Sequence, residues 1–225
     1  GVLRQTLNPE FGSGVREAAA YDLDRFLGLD TVPPTVLVET GIPDEEIVED
    51  AADSLATHVS EIDADEYMED LEDEETFEGS MQLKLKGETF IDQYGHFSYP
   101  SFSDLDEGQQ QDMIKIAVID YITGNTDRHS GNIFVTDDGN IMAIDNGLSF
   151  PDPDEEFRVN ENEFKSIAAR IAKEQPIPDD VLERMGGIEE EEFKEVLHAY
   201  GMSAEAEGAW ERLSELLTTG TVVYR

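Results

Sequence analysis

The stretch GNTDRHSGNIF, from Gly124 to Phe134, places Asp127, Arg128, His129 and Asn132 within six positions. A further acid, Asp145, follows in MAIDNGL. Asp and Asn oxygens are hard donors of the kind Mg²⁺ takes. A carboxylate beside such a metal can aim and deprotonate a hydroxyl, and the two functions together make up the inventory of phosphoryl transfer. The plainer reading is structural: Asn125, Asp127 and Asn132 make turn hydrogen bonds, and Asp145 caps a loop.

The chemistry requires these side chains to converge, and the flanking sequence has the means. DEGQQQDMIKIAVIDYITGN reads as a long helix with Ile114, Ala117, Val118, Tyr121 and Ile122 on its apolar face. Gly124 and Asn125 stop it. NIFVT and IMAID read as short strands joined at Asp138-Gly139, a strong hairpin signal. Helix, polar loop, strand, turn and strand then put Asp127 and Asn132 on the loop and Asp145 at the end of the second strand, and the hairpin brings these ends together.

Upstream, VREAAAYDLDRFL repeats Ala19, Leu23, Phe26 and Leu27 at helical spacing, closed by Gly28. TVPPTVLVE reads as a Pro-led strand near a sheet edge. SMQLKLKGE reads as another strand, with Met81, Leu83 and Leu85 alternating. Between these strands, roughly Pro43 to Glu78, Asp and Glu dominate. Ile47, Ala51, Leu55 and Val59 allow an amphipathic helix in this acidic insertion, whose charge reads first as a solvated face. Beyond Pro151 helices are expected at about 160–173, 179–185, 189–200 and 203–218, the second with Pro178 and acids at its start.

The chain has 225 residues with 53 acidic against 15 basic, a formal charge of −38 and a pI near 4.1. Such a field repels nucleic acid. Two origins fit it: a cationic partner, or a halophilic organism whose salt screens the repulsion. The spread of acids along the whole chain favours the second. There is no cysteine, which excludes disulfides and thiolate metal sites. No apolar run approaches the ~20 residues of a membrane span, and GVLRQTLNPEFG has no signal-peptide pattern. The expected setting is cytoplasmic.

GNTDRHSGNIFV and MAIDNGLSFP together resemble the catalytic core of the phosphatidylinositol 3-/4-kinase-like superfamily, closest to bacterial and archaeal members related to type II phosphatidylinositol 4-kinases. HipA-like kinases are similar more distantly. VREAAAYDLDRFLGLDTVPPTV resembles the family's Glu-bearing helix and the strand after it. GSMQLKL is similar to its strand-to-hinge segment, and PIPDDVLERM resembles its C-lobe. The resemblance implies an α+β, protein-kinase-like two-lobed fold with a reduced N-lobe over residues 1–88 and a mainly helical C-lobe over 89–225.

It implies ATP and Mg²⁺ as cofactors and a lipid or protein hydroxyl as acceptor. It also implies a catalytic group of Asp127, Arg128 and His129, with Asp127 the better base and His129 a loop-packing residue or base. Asn132 and Asp145 would be metal ligands. Glu17, Gln82 and Arg4 would serve the nucleotide. Arg4 stands where the family has a Lys, and the two are not interchangeable. Gly12-Ser13-Gly14 is either a phosphate loop or a linker. The expected identities are therefore an active kinase, cut short at its N-terminus or reduced, and alternatively a non-catalytic kinase-like module with a degenerate nucleotide site. The acidic insertion could contact a protein partner.

Overall fold

The computed structural model describes residues 2–5, 14–41, 76–95, 98–151 and 166–223. In chain order the elements are β1 (Val2–Gln5), α1 (Gly14–Leu27), β2 (Thr35–Gly41), β3 (Thr76–Gln82), β4 (Gly87–Thr89), α2 (Phe90–Tyr94), α3 (Glu107–Thr123), β5 (Ile133–Thr136), β6 (Ile141–Ala143), α4 (Ile167–Ile171), α5 (Asp179–Gly186), α6 (Glu190–His198) and α7 (Ser203–Thr219). The helix expected at Ile47–Val59 lies outside the described residues, as does the first part of the one expected at 160–173.

Helix α3 is the centre of the molecule. Asp106 and Gln109 form a reciprocal capping box at its start, and Gly124, in the left-handed region with φ 65°, ends it. The sequence suggested one apolar face, yet every residue from Ile116 to Thr123 is buried. The reason is enclosure: α4, α7, α1 and β6 all pack on it. The DG hairpin is fastened to the same helix. Asp112 Oδ2 accepts the Ile141 N–H at 2.9 Å, and Gln109 Nε2 donates to the Gly139 carbonyl at 3.2 Å.

Two small antiparallel sheets flank this helical body. One has the order β1-β3-β2 and carries α1; the other has the order β4-β5-β6. Strand β2 lies at an edge, as its Pro-led sequence suggested. Strand β3 begins at Thr76, inside the stretch read as insertion, and ends at Gln82. Its inward face is polar: Ser80 and Gln82 are buried, and Gly14 lies so close that a Cβ there would stand 2.7 Å from the Ser80 nitrogen. Met81 is 42% exposed and Leu83 53%, beside Val36 at 55%. The expected alternation is present at Met81, but its apolar side faces outward.

Helix α1 is also held from the other side. Tyr200 Oη donates to Asp22 Oδ2 at 2.6 Å, and the Arg184 guanidinium covers Gly28, whose φ of 67° only a residue without Cβ adopts freely. Inside the turn that follows, Asp24 accepts hydrogen bonds from Thr31 N, Thr31 Oγ1 and Val32 N. Burial pushes its carboxyl up to about 6, against these bonds, which favour the charged form.

A raised carboxyl pKa means the native state holds the proton more tightly than the unfolded chain. This contribution to stability is full below the unfolded pKa of 3.8 and is lost as pH rises through about 6. It amounts to on the order of 3 kcal/mol. Denaturant titrations of wild type and Asp24→Asn between pH 4 and 7 isolate it from the general acid excess. Wild type should lose stability relative to the variant as pH rises, and parallel curves would exclude this role.

Candidate active site

The loop between α3 and β5 is built by short-range bonds that its sequence makes available. Asn125 Oδ1 accepts the Asp127 N–H at 2.8 Å. The Asp127 carbonyl accepts from His129 N at 2.8 Å and from Asn132 Nδ2 at 2.9 Å. The Asp127 backbone is thus fixed on both sides while its side chain is 47% exposed. His129 Nδ1 accepts the Gly131 N–H at 3.0 Å, which leaves its proton on Nε2, 4.0 Å from Asp127 Oδ2. Gly131 is needed for this, because a Cβ there would stand 2.8 Å from the imidazole Cε1.

The hairpin joins this loop to the second acid. Ile133 pairs with Ala143, and Ile144 N donates to the Asn132 carbonyl at 3.0 Å. Asp145 is the next residue, at φ 58° in the left-handed region. The loop and the hairpin end thus set the backbones of Asp127, Asn132 and Asp145 beside one another.

Arg128 is placed differently from the catalytic role expected of it. Its side chain is fully buried. Nε and Nη2 reach the Asp120 carboxylate, the latter at 3.0 Å. Nη1 donates to the carbonyls of Asn132 and Ile144, and Nη2 also to Asn146 Oδ1. Ser166 Oγ completes the cluster with a 2.7 Å bond to Asp120 Oδ2, and Ile167 N donates to the Arg128 carbonyl at 2.8 Å. Burial pushes the Asp120 carboxyl up, opposed by the Arg128 charge and by the bonds from Arg128 and Ser166. Farther out, Arg212 Nε donates to the Ile122 carbonyl at 2.8 Å. Burial brings its pKa down to about 10, so it stays a cation at the negative end of α3 at neutral pH.

Glu17 is buried, and its Oε1 accepts the Asn146 N–H at 3.0 Å. Gln82 is buried with its Nε2 committed to Thr35 Oγ1 at 3.0 Å. It straps β3 to β2 through its side-chain nitrogen. Arg4 pairs with Ser80 across β1 and β3; its side chain lies outside the described residues. Asp120, Asn146 and Ser166 were not singled out from sequence. Asp120 had a signal, as the one charge in the apolar run IAVIDYIT.

The donor set suits a hard cation. The Asn132 amide nitrogen donates to the Asp127 carbonyl, so its oxygen is the atom that could act as a ligand, on a residue whose backbone carbonyl bonds the residue before Asp145. Among the described residues no group of three or more His, Cys, Asp or Glu forms a metal cluster. An all-carboxylate cage is thus absent there, and a two-residue Asp–Asn set completed by phosphate oxygens fits Mg²⁺ coordination.

A family model described as "Phosphatidylinositol 3- and 4-kinase" matches residues 15–185. Among solved structures, the "Golgi casein kinase with Mn/ADP bound" is similar to this chain with a TM-score of 0.51 and 18% identity, over 96% of this chain and 62% of that one. A second Golgi casein kinase structure gives a TM-score of 0.52 and 19% identity, over 93% and 60%. The chain therefore spans less than two thirds of these structures, and the likeness is one of fold: α+β and protein-kinase-like. No curated protein matches the sequence.

Proposed function

The chain belongs to the phosphatidylinositol 3- and 4-kinase family, and from that premise we propose that it is an ATP- and Mg²⁺-dependent phosphotransferase acting on a hydroxyl of a lipid headgroup or a protein. The observation that supports this most is the joint between loop and hairpin, where Ile144 N bonds the Asn132 carbonyl and Asn132 Nδ2 bonds the Asp127 carbonyl.

Asn132 and Asp145 would hold the metal, which when bound neutralises charge on the phosphate being transferred. Asp127 keeps a partly exposed carboxylate on a fixed backbone, suited to orient the acceptor hydroxyl and take its proton. His129 presents its Nε2–H toward that carboxylate. In this reading Arg128 holds the loop and does not touch substrate. Glu17 and the main chain beyond Gln82 border the nucleotide. The assignment is tested by titrating Mg-ATP into the protein with ADP release followed in parallel. Saturable, Mg²⁺-dependent binding with turnover is expected. Absence of nucleotide binding would leave the non-catalytic kinase-like module.

The acid excess belongs to the same proposal as adaptation to a salt-rich cytoplasm, and it argues against a nucleic-acid partner. A protein partner for the acidic insertion is proposed on charge alone. Among the described residues no helix is long and apolar enough to cross a membrane. With a formal charge of −38, self-repulsion opposes compaction until salt screens it; the Debye length falls from about 10 Å at 0.1 M to about 3 Å at 1 M. Circular dichroism melts should shift upward from dilute buffer to molar KCl, and an unchanged Tm would remove the halophilic reading.

A further inference from the structure

We infer that Arg128 is the positioning residue that sets the backbone geometry of Asp145, with Asp120 as its internal counter-ion and Asn146 as its second hold. The inference rests on the reading of Asp145 as metal ligand. Asp145 stands at φ 58°, in the left-handed region, which Asp and Asn enter more readily than other side chains but which still turns the chain sharply at this point. The neighbours here are held on both sides. Ile144 gives its carbonyl to Arg128 Nη1 and its N–H to the Asn132 carbonyl. Asn146 gives its side-chain oxygen to Arg128 Nη2 and its N–H to Glu17 Oε1. One guanidinium thus grips the residues before and after Asp145. The same Nη1 reaches the carbonyl of Asn132, the other proposed ligand, at 3.0 Å.

A planar fork can serve these separate acceptors at once, whereas a lysine ammonium is a single point. The charge of the guanidinium is offset inside the fold by Asp120, 3.0 Å from Nη2. Ser166, on the element that follows the site in sequence, completes the hold on Asp120. Arg128 therefore acts on the metal through the placement of its ligands, as outer partners of metal sites do.

The test uses the whole chain saturated with ADP and Mn²⁺ as the probe, its free fraction followed by EPR. Arg128→Lys keeps the charge opposite Asp120 and loses the fork. Asn146→Ala removes one hold and no charge. Both are expected to melt cooperatively and to need about 10- to 100-fold more Mn²⁺ for half-occupancy. The ADP affinity measured at saturating Mn²⁺ should be restored, which a merely loosened fold would not do. Wild-type Mn²⁺ affinity in folded variants overturns the inference. If Arg128→Lys does not fold, Asn146→Ala decides alone. If wild type shows no Mn²⁺ binding that Asp145→Asn removes, Asp145 is not the ligand, and the functional reading falls first.

Discussion

Asp145→Asn is expected to fold as wild type does and to lose Mg²⁺-dependent phosphoryl transfer by more than about a hundredfold. The choice of Asn matters. Asp145 occupies the left-handed region, where Asn is among the few side chains that are readily accommodated. The substitution therefore leaves the backbone as it is and removes only the charge, whereas Ala would add strain and blur the result. Isothermal titration with Mg-ATP and a turnover assay measure the two consequences together. Asp127→Ala makes the contrast: its carboxylate is proposed to act on the acceptor, so turnover should fall with nucleotide binding largely kept. Equal Mg-ATP affinity in wild type and Asp145→Asn would dismiss Asp145 as a metal ligand.

The largest effect on stability is expected at Asp120. Asp120→Ala leaves the Arg128 guanidinium, with a fully buried side chain, without its counter-charge. Removing one partner of a buried pair costs about 3–5 kcal/mol, a large part of the ~5–15 kcal/mol that holds a typical domain. Ser166 also loses the acceptor of its 2.7 Å bond, and the start of α4 loosens with it. Chemical denaturation should show the drop as a lower midpoint at unchanged slope. Combined with Arg128→Met, the loss should be clearly smaller than the sum of the single losses, because the second change removes the stranded charge. Strict additivity would mean that the two residues stabilise the fold separately.

The parts of the fold legible in sequence were those set by local chemistry. The bounds of α1 and α3 followed from apolar spacing and the glycines after them, and the β5–β6 hairpin from Asp138-Gly139. These set where Asp127, Asn132 and Asp145 stand along the chain, on the loop and at the hairpin end. Two features were not legible, for physical reasons. A two-residue period separates the faces of a strand but does not say which is buried. Met81 faces out because α1, packed through Gly14, takes the Ser80 side. The Asp120–Arg128 pair joins residues eight apart across the end of α3, so no single helical or strand period runs through both. Arg128 looked like a member of the reactive group until Asp120, in the last turn of the helix before the loop, showed where its charge goes. Asp24 was hidden in the same way, one acid among many until burial set it apart.

Helix α1 is fastened at both of its flanks, to β3 through the close approach of Gly14 and to α6 and its C-terminal turn through Tyr200 and Asp22. In mechanical terms it is a rivet through two plates. Moving the β1-β3-β2 sheet relative to α6 about α1 would break the Tyr200–Asp22 bond or slide β3 across a contact that has no room for a Cβ. The stiffness reaches Asn146 as well, since Glu17 projects from the same helix. For a nucleotide bound as proposed, Glu17 and the Asn146 backbone would form a part of the wall that is tied to both neighbours of α1.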